Sequence, residues 1–191
     1  MKNAIFVVMS FLILAMAAFG CWKIRQMKQE QKEAMFNEKE NDSYREFMNK
    51  ASQLLDAMEA AMPLVEEQCA RIEKALADGV SYEELKEDVA FAEAQNAIRG
   101  RCDEFRSQFE ALDKSCPDKM TGVNSATGDC FVTFAQWVKM TEEPPTGTYV
   151  MSDSRSMMQY TFTSALDMAR TVIRNQEAML KFQDRQKDLL H

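Results

Sequence analysis

Residues able to do chemistry are thinly spread along this chain. Acid–base and nucleophilic catalysis near neutrality usually rests on a histidine. The only one here is His191, the final residue, where fraying is the default. Cysteine–histidine and serine–histidine arrangements, histidine–metal clusters and the Glu-x-x-His pairs of di-iron bundles are thereby excluded. Gly122, Gly128 and Gly147 stand singly, so no glycine-rich phosphate loop is present. Carboxylates are abundant, but at helical spacing they read as solvated faces. The 15 methionines invite a Cu(I) reading, because thioethers are soft ligands. Yet Met58 and Met62, like Met157 and Met158, lie on or beside apolar stripes, where methionine is a flexible core filler. The sequence therefore predicts no enzyme, no cofactor and no metal.

The five cysteines say more. No Cys-x-x-Cys occurs, so neither zinc nor thioredoxin-like chemistry is indicated. Cys116 and Cys130 bracket a polar stretch with two glycines, read as a loop, and are the candidate disulfide; closing that loop would stabilise the fold by about 3 kcal/mol on chain-entropy grounds. Cys69 and Cys102 do not face each other in a regular hairpin. A turn near Gly79 sets Ala90 level with Cys69, ~18 Å from Cys102 at the helical rise, which is beyond the span of a disulfide. Both are expected to act as small buried hydrophobes.

Cys21 belongs to a different object. Residues 3–22 form an uncharged, mostly apolar run behind Lys2. A membrane helix needs about 20 such residues and a signal-peptide core about 7–15, so the run serves either purpose. Small residues at Ala18 and Gly20 suit cleavage before Cys21. The same stretch approximates a lipobox, which would acylate Cys21, although Phe19 is bulkier than that pattern wants. An uncleaved anchor is the third reading. The order of charge, apolar core and small residues favours export of the rest. Lys23, Arg25, Lys28 and Lys32 pull the other way under the positive-inside rule, toward a domain facing the cytoplasm.

The elements that would position any site are helices. Six glycines and four prolines are few, and Ala, Glu, Lys, Gln and Met are many. Residues 23–41 read as a charged stalk. From Tyr44 through Val65, Cys69, Ile72 and Leu76, apolar residues recur at three- and four-residue steps, with a Ser43–Glu46 capping-box spacing at the start, Pro63 inside and Gly79 at the end. Ser81 and Glu84 open a second helix that runs on past Phe105 to Leu112. Residues 115–153 read as a crossover holding one short helix, with Asp129 as its N-cap and Phe131, Phe134 and Val138 on its face. A last helix from Ser154 to about Leu189 carries Phe162, Ala169 and Ile173. The expected architecture is all-α: an N-terminal anchor or signal segment (1–22), a stalk (23–41), and a bundle (42–191) of three long helices with a short fourth in the crossover.

The net charge of −7 disfavours nucleic acid. A membrane contact through residues 1–22 and a protein partner or a homo-oligomer are the expected associations. Phe131, Phe134 and Trp137, beside the rigid Pro144-Pro145 pair, are either anchors of a partner-binding platform or the plug of the bundle's open end. The functional expectation is a membrane-tethered or exported helical scaffold of the cell envelope, with a helical ligand-binding sensor as the alternative. A sensor is expected to continue into a signalling segment, and this chain reaches His191 without one, so the scaffold leads.

Overall fold

The computed structural model describes the backbone of residues 2–146 and 148–189 and the side chains of residues 26, 39–146 and 149–185. The chain divides into two units, Met1–Ser43 and Tyr44–His191. The apolar run at 3–22, with Cys21 and its lipidation, lies outside the residues whose side chains are described. So do most of the stalk positions. Among the described residues no helix is long and apolar enough to cross a membrane.

All described secondary structure is helical: α1 (Lys2–Ala77), α2 (Tyr82–Lys86), α3 (Val89–Lys114), a 3-10 turn at Asp118–Met120, α4 (Thr121–Glu142) and α5 (Thr148–Leu189). In the second unit the end of α1 packs with α3, α4 and α5 as an antiparallel four-helix bundle. The order around the ring is α1, α3, α4, α5. Ion pairs read the α1–α5 register directly. Arg45 meets Asp184, Arg170 reaches Asp56 at 2.7 Å and Glu59 at 2.6 Å, and Arg155 meets Glu73 at 3.1 Å. As the number falls on α5 it rises on α1 by the same amount, which is antiparallel pairing over the whole length.

The reason for four helices instead of three is a heptad repeat. On α3 the stripe is Phe91, Gln95, Ile98, Cys102, Phe105, Phe109 and Leu112. On α4 it is Val123, Thr127, Cys130, Phe134, Trp137 and Thr141. All of these are buried except Phe109, which is half-buried. Alternating steps of four and three keep one seam facing its neighbours, the pattern of supercoiled bundles. The expected short helix at the crossover is therefore a 22-residue bundle member, and Asp129, expected as its N-cap, is mid-helix.

Other boundaries differ for local reasons. The second helix is broken, because Asp88 caps a fresh start by accepting a hydrogen bond from Phe91 N at 2.8 Å. Ahead of it the Ser81–Glu84 capping box forms as expected, on the five-residue α2. Ser43 and Glu46 cap nothing, since α1 runs through them and Glu46 pairs with Lys50 at 2.7 Å. Gly79 ends α1 with φ of +79°, a left-handed conformation that glycine adopts without strain.

Gly128 has a different role. A Cβ built there would lie 2.7 Å from Phe109 Cζ, and the Phe109 ring is itself stacked on Phe131 at 5.8 Å between centroids. A glycine inside a helix costs about 1 kcal/mol relative to alanine, and here it lets α3 and α4 approach. Around Gly100 and Gly122 a Cβ meets open space. Alanine at either position is thus expected to stabilise the fold by about 0.5–1 kcal/mol, while Gly128→Ala forces the stacked rings apart and costs about 1–3 kcal/mol. Thermal melts of the three single variants should move in those opposite directions.

Candidate functional site

The polar side chains that the fold brings together lie at the end of the bundle where α1 finishes and α4 finishes. Gln68 on α1 donates to the Phe91 carbonyl at 3.1 Å and to Gln95 Oε1 at 3.2 Å. Gln95 on α3 donates to Thr141 Oγ1 at 2.7 Å, and that hydroxyl donates to the Val138 carbonyl at 2.7 Å. Tyr82, on α2, donates to the Thr141 carbonyl at 2.7 Å. Gln68, Gln95 and Thr141 are buried. Four helices are tied by one chain of hydrogen bonds, and the shared groups leave little capacity to turn toward a ligand.

Beside this chain opens a groove of about 320 Å³ bounded by Tyr82, Phe91, Gln95, Asn96, Arg99 and Glu142. Its charges are paired: Arg99 Nε donates to Glu142 Oε1 at 2.8 Å, and Lys86, which also lines it, meets Glu83 at 2.7 Å. Burial, and then Glu142 and Glu83 nearby, raise the Tyr82 phenol above its usual range, so it stays protonated and donating. A second groove of about 480 Å³ runs between α3 and α4 over Cys102, Phe131, Val132 and Ala135. Its rim cations are also paired: Arg106 with Asp103 at 2.7 Å and Lys139 with Glu143 at 3.5 Å. Neither groove presents an uncompensated charge or an activated nucleophile. Among the described residues no group of three or more His, Cys, Asp or Glu could hold a metal.

The expected site residues are scattered through the core. Phe134 and Trp137 are fully buried and Phe131 is 8% exposed. Phe134 contacts Phe105 on α3 at 5.4 Å and Phe162 on α5 at 5.6 Å, and Trp137 packs on Phe162 at 5.9 Å. These aromatics are core, and the reading of them as a partner-binding platform is corrected. Their stripe faces the bundle axis, because α4 has helical neighbours on both sides.

Cys116 and Cys130 are free thiols, as are Cys69 and Cys102. The loop that a Cys116–Cys130 bond would have closed is instead the first half of α4, which carries Cys130 ~13 Å along the helix from Thr121 at 1.5 Å per residue. Burial pushes the Cys130 thiol up to about 12. It pushes Cys69 up to about 11, against the opposing pull of Arg155. Glu66 is half-buried, and its Oε1, like Trp137 Nε1, has no hydrogen-bond partner among the described residues.

Gln68, Gln95 and Thr141 escaped the sequence reading, which ranked stripe positions by hydropathy. The signal was there in the spacing. Gln68 sits three residues after Val65 and four before Ile72, and Gln95 sits between Phe91 and Ile98 in the heptad. A polar residue in a core position asks for a polar partner.

No family model matches the chain, and no curated protein or solved structure matches it either.

Two outcomes check this arrangement. Thr141→Val removes the hydroxyl that accepts from Gln95, leaving a buried amide donor unsatisfied at a cost of about 1–3 kcal/mol. Thr133→Val, on the exposed side of α4, should be within about 0.5 kcal/mol of wild type in the same denaturation series. In pulsed alkylation of the native chain near pH 7.5, Cys116 should label first. Cys69 and Cys130 should label only as the bundle unfolds, since burial disfavours the thiolate and blocks access. Mass mapping of the labelled peptides reads this.

Proposed function

We propose that the chain is a helical scaffold or interaction protein of the cell envelope, tethered to a membrane or exported through residues 1–22, and that its bundle is presented to a protein partner. The observation that carries this reading is the filled centre of the bundle. Phe134, Trp137 and Phe162 meet at the axis with no exposure, in the place where a bundle that binds a small molecule keeps its cavity. Association is then left to the outer surface. The polar groups nearest a groove are engaged with one another, which supports a binding role over a catalytic one. The net charge of −7 fits a protein partner better than a nucleic acid. The ligand-binding sensor is the weaker alternative, because it needs the space that those aromatics occupy.

The tether is tested by fractionating cells that express the full chain and a version lacking residues 1–22. The full chain is expected to stay with membranes through a carbonate wash, and the shortened chain to be soluble. A full chain recovered in the soluble fraction with its N-terminus intact overturns the tether.

A further inference from the structure

We infer that the outer face of α5 is a self-association surface, on which a second copy of this chain packs its own α5 antiparallel about a two-fold axis. The inference rests on the interaction reading above and names the partner for it.

The starting observation is a stripe that the bundle does not use. Met157, Tyr160, Met168, Met179 and Phe182 are 58–76% exposed. With Tyr149 and Val150 at the start of the helix they fall within an arc of about 120° at 100° per residue. Of the residues interleaved with them, Thr161, Ser164, Thr171, Asn175 and Ala178 are uncharged and exposed, while Asp153 lies inside the arc and Asp167 and Arg185 lie at the edge it shares with Tyr149. In a chain that is 28% charged, the side of a helix facing away from its bundle normally carries the charge. This one carries aromatics and methionines, the residue types enriched where proteins meet.

Size and symmetry point to a second copy. The seven exposed apolar residues present roughly 900 Å² at ~200 Å² for a full aromatic or methionine side chain, close to the ~800 Å² that each partner gives to a standard-size interface. The stripe spans Tyr149 to Phe182, ~50 Å at the helical rise. A partner must offer a matching length, and α5 offers it to itself. Reversed about a point between Ser164 and Met168, the span of the stripe covers itself end to end, with Met157 against Asn175 and Met179 against Asp153. Val150 falls against Phe182, and Met168 falls against the small Ser164. Asp153 lies near one end and Lys181 and Arg185 near the other, so antiparallel copies bring opposite signs together, whereas parallel copies would align like signs. A two-fold contact of this kind is self-complementary and closes at two copies.

The test uses the full chain in mild detergent, by sedimentation equilibrium. Wild type is expected to be dimeric. Met168→Glu is expected to weaken the dimer by more than about tenfold, since like charges meet near the axis, with the helical circular dichroism unchanged because Met168 is exposed. An equimolar mixture of Met168→Glu and Met168→Lys chains is expected to recover the dimer, which an unrelated partner or a detergent effect would not do. A monomeric wild type overturns the inference and leaves the tether test untouched. A dimer that survives Met168→Glu also overturns it, placing the contact elsewhere on the chain, and so does a mixture that fails to recover.

Discussion

Trp137 and Phe134 stand one heptad step apart on α4 and occupy the axis of the bundle, and the packing of the other helices follows from their volume. Each is fully buried. Interiors pack at near-crystalline density, so a layer holding Trp137, Phe134, Phe162 and Phe105 needs small residues in the layers beside it. Ala61, Cys130 and Ala169, all buried, supply them, and Gly128 gives Phe109 a place to lie. The glycine and the aromatics are one solution. The rings fill the wide middle, and the missing Cβ allows α3 and α4 to close beyond it.

Register is held by polar contacts of two kinds. Along α1 and α5 the carboxylates of Asp56 and Glu59 are exposed while Arg170 and the Arg155–Glu73 pair are half-buried, and each pair contributes on the order of 1 kcal/mol. Their value is as a ruler, since any slip of α5 by a heptad breaks all of them together. The two carboxylates that share Arg170 raise its pKa further above an already high value, so this anchor stays charged throughout the pH range of folding. At the far end the Gln68–Gln95–Thr141 chain works inside the core. A buried amide network adds little net stability over apolar packing, but a misregistered bundle would leave its donors and acceptors unpaired. Ion pairs fix the outside and amides fix the inside.

The all-helical fold, the α1 stripe, the antiparallel α1–α3 hairpin and the Ser81 cap were legible because each rests on a local signal: apolar periodicity, a short link, a capping box. The fourth long helix was not legible from hydropathy. Residues 121–130 hold Thr, Gly, Asn and Ser, which look like loop, and the apolar residues after them suggest a face through Phe131, Phe134, Ala135 and Val138. The true seam runs through Thr127, Cys130 and Thr141, residues whose hydropathy hides a heptad that spacing alone reveals. The disulfide expectation failed with it, since Cys130 is placed by that seam and not by a loop. Of the two readings of the aromatics, packing into the bundle holds, because Phe134 and Trp137 lie on the seam itself. The α5 stripe was overlooked because the reading sought the residues facing a core and did not ask what the opposite side carried.

The same thiols bear on how the bundle tolerates its surroundings. Cys69, Cys102 and Cys130 are buried, and burial raises each thiol toward the protonated form. Cysteine used this way is a small apolar side chain, and the packing of such a fold does not depend on the formation of a bond between its thiols. The bundle supplies a closed core and an acidic surface interrupted along α5. The association surface proposed on α5 thus draws nothing from the interior that holds the helices together.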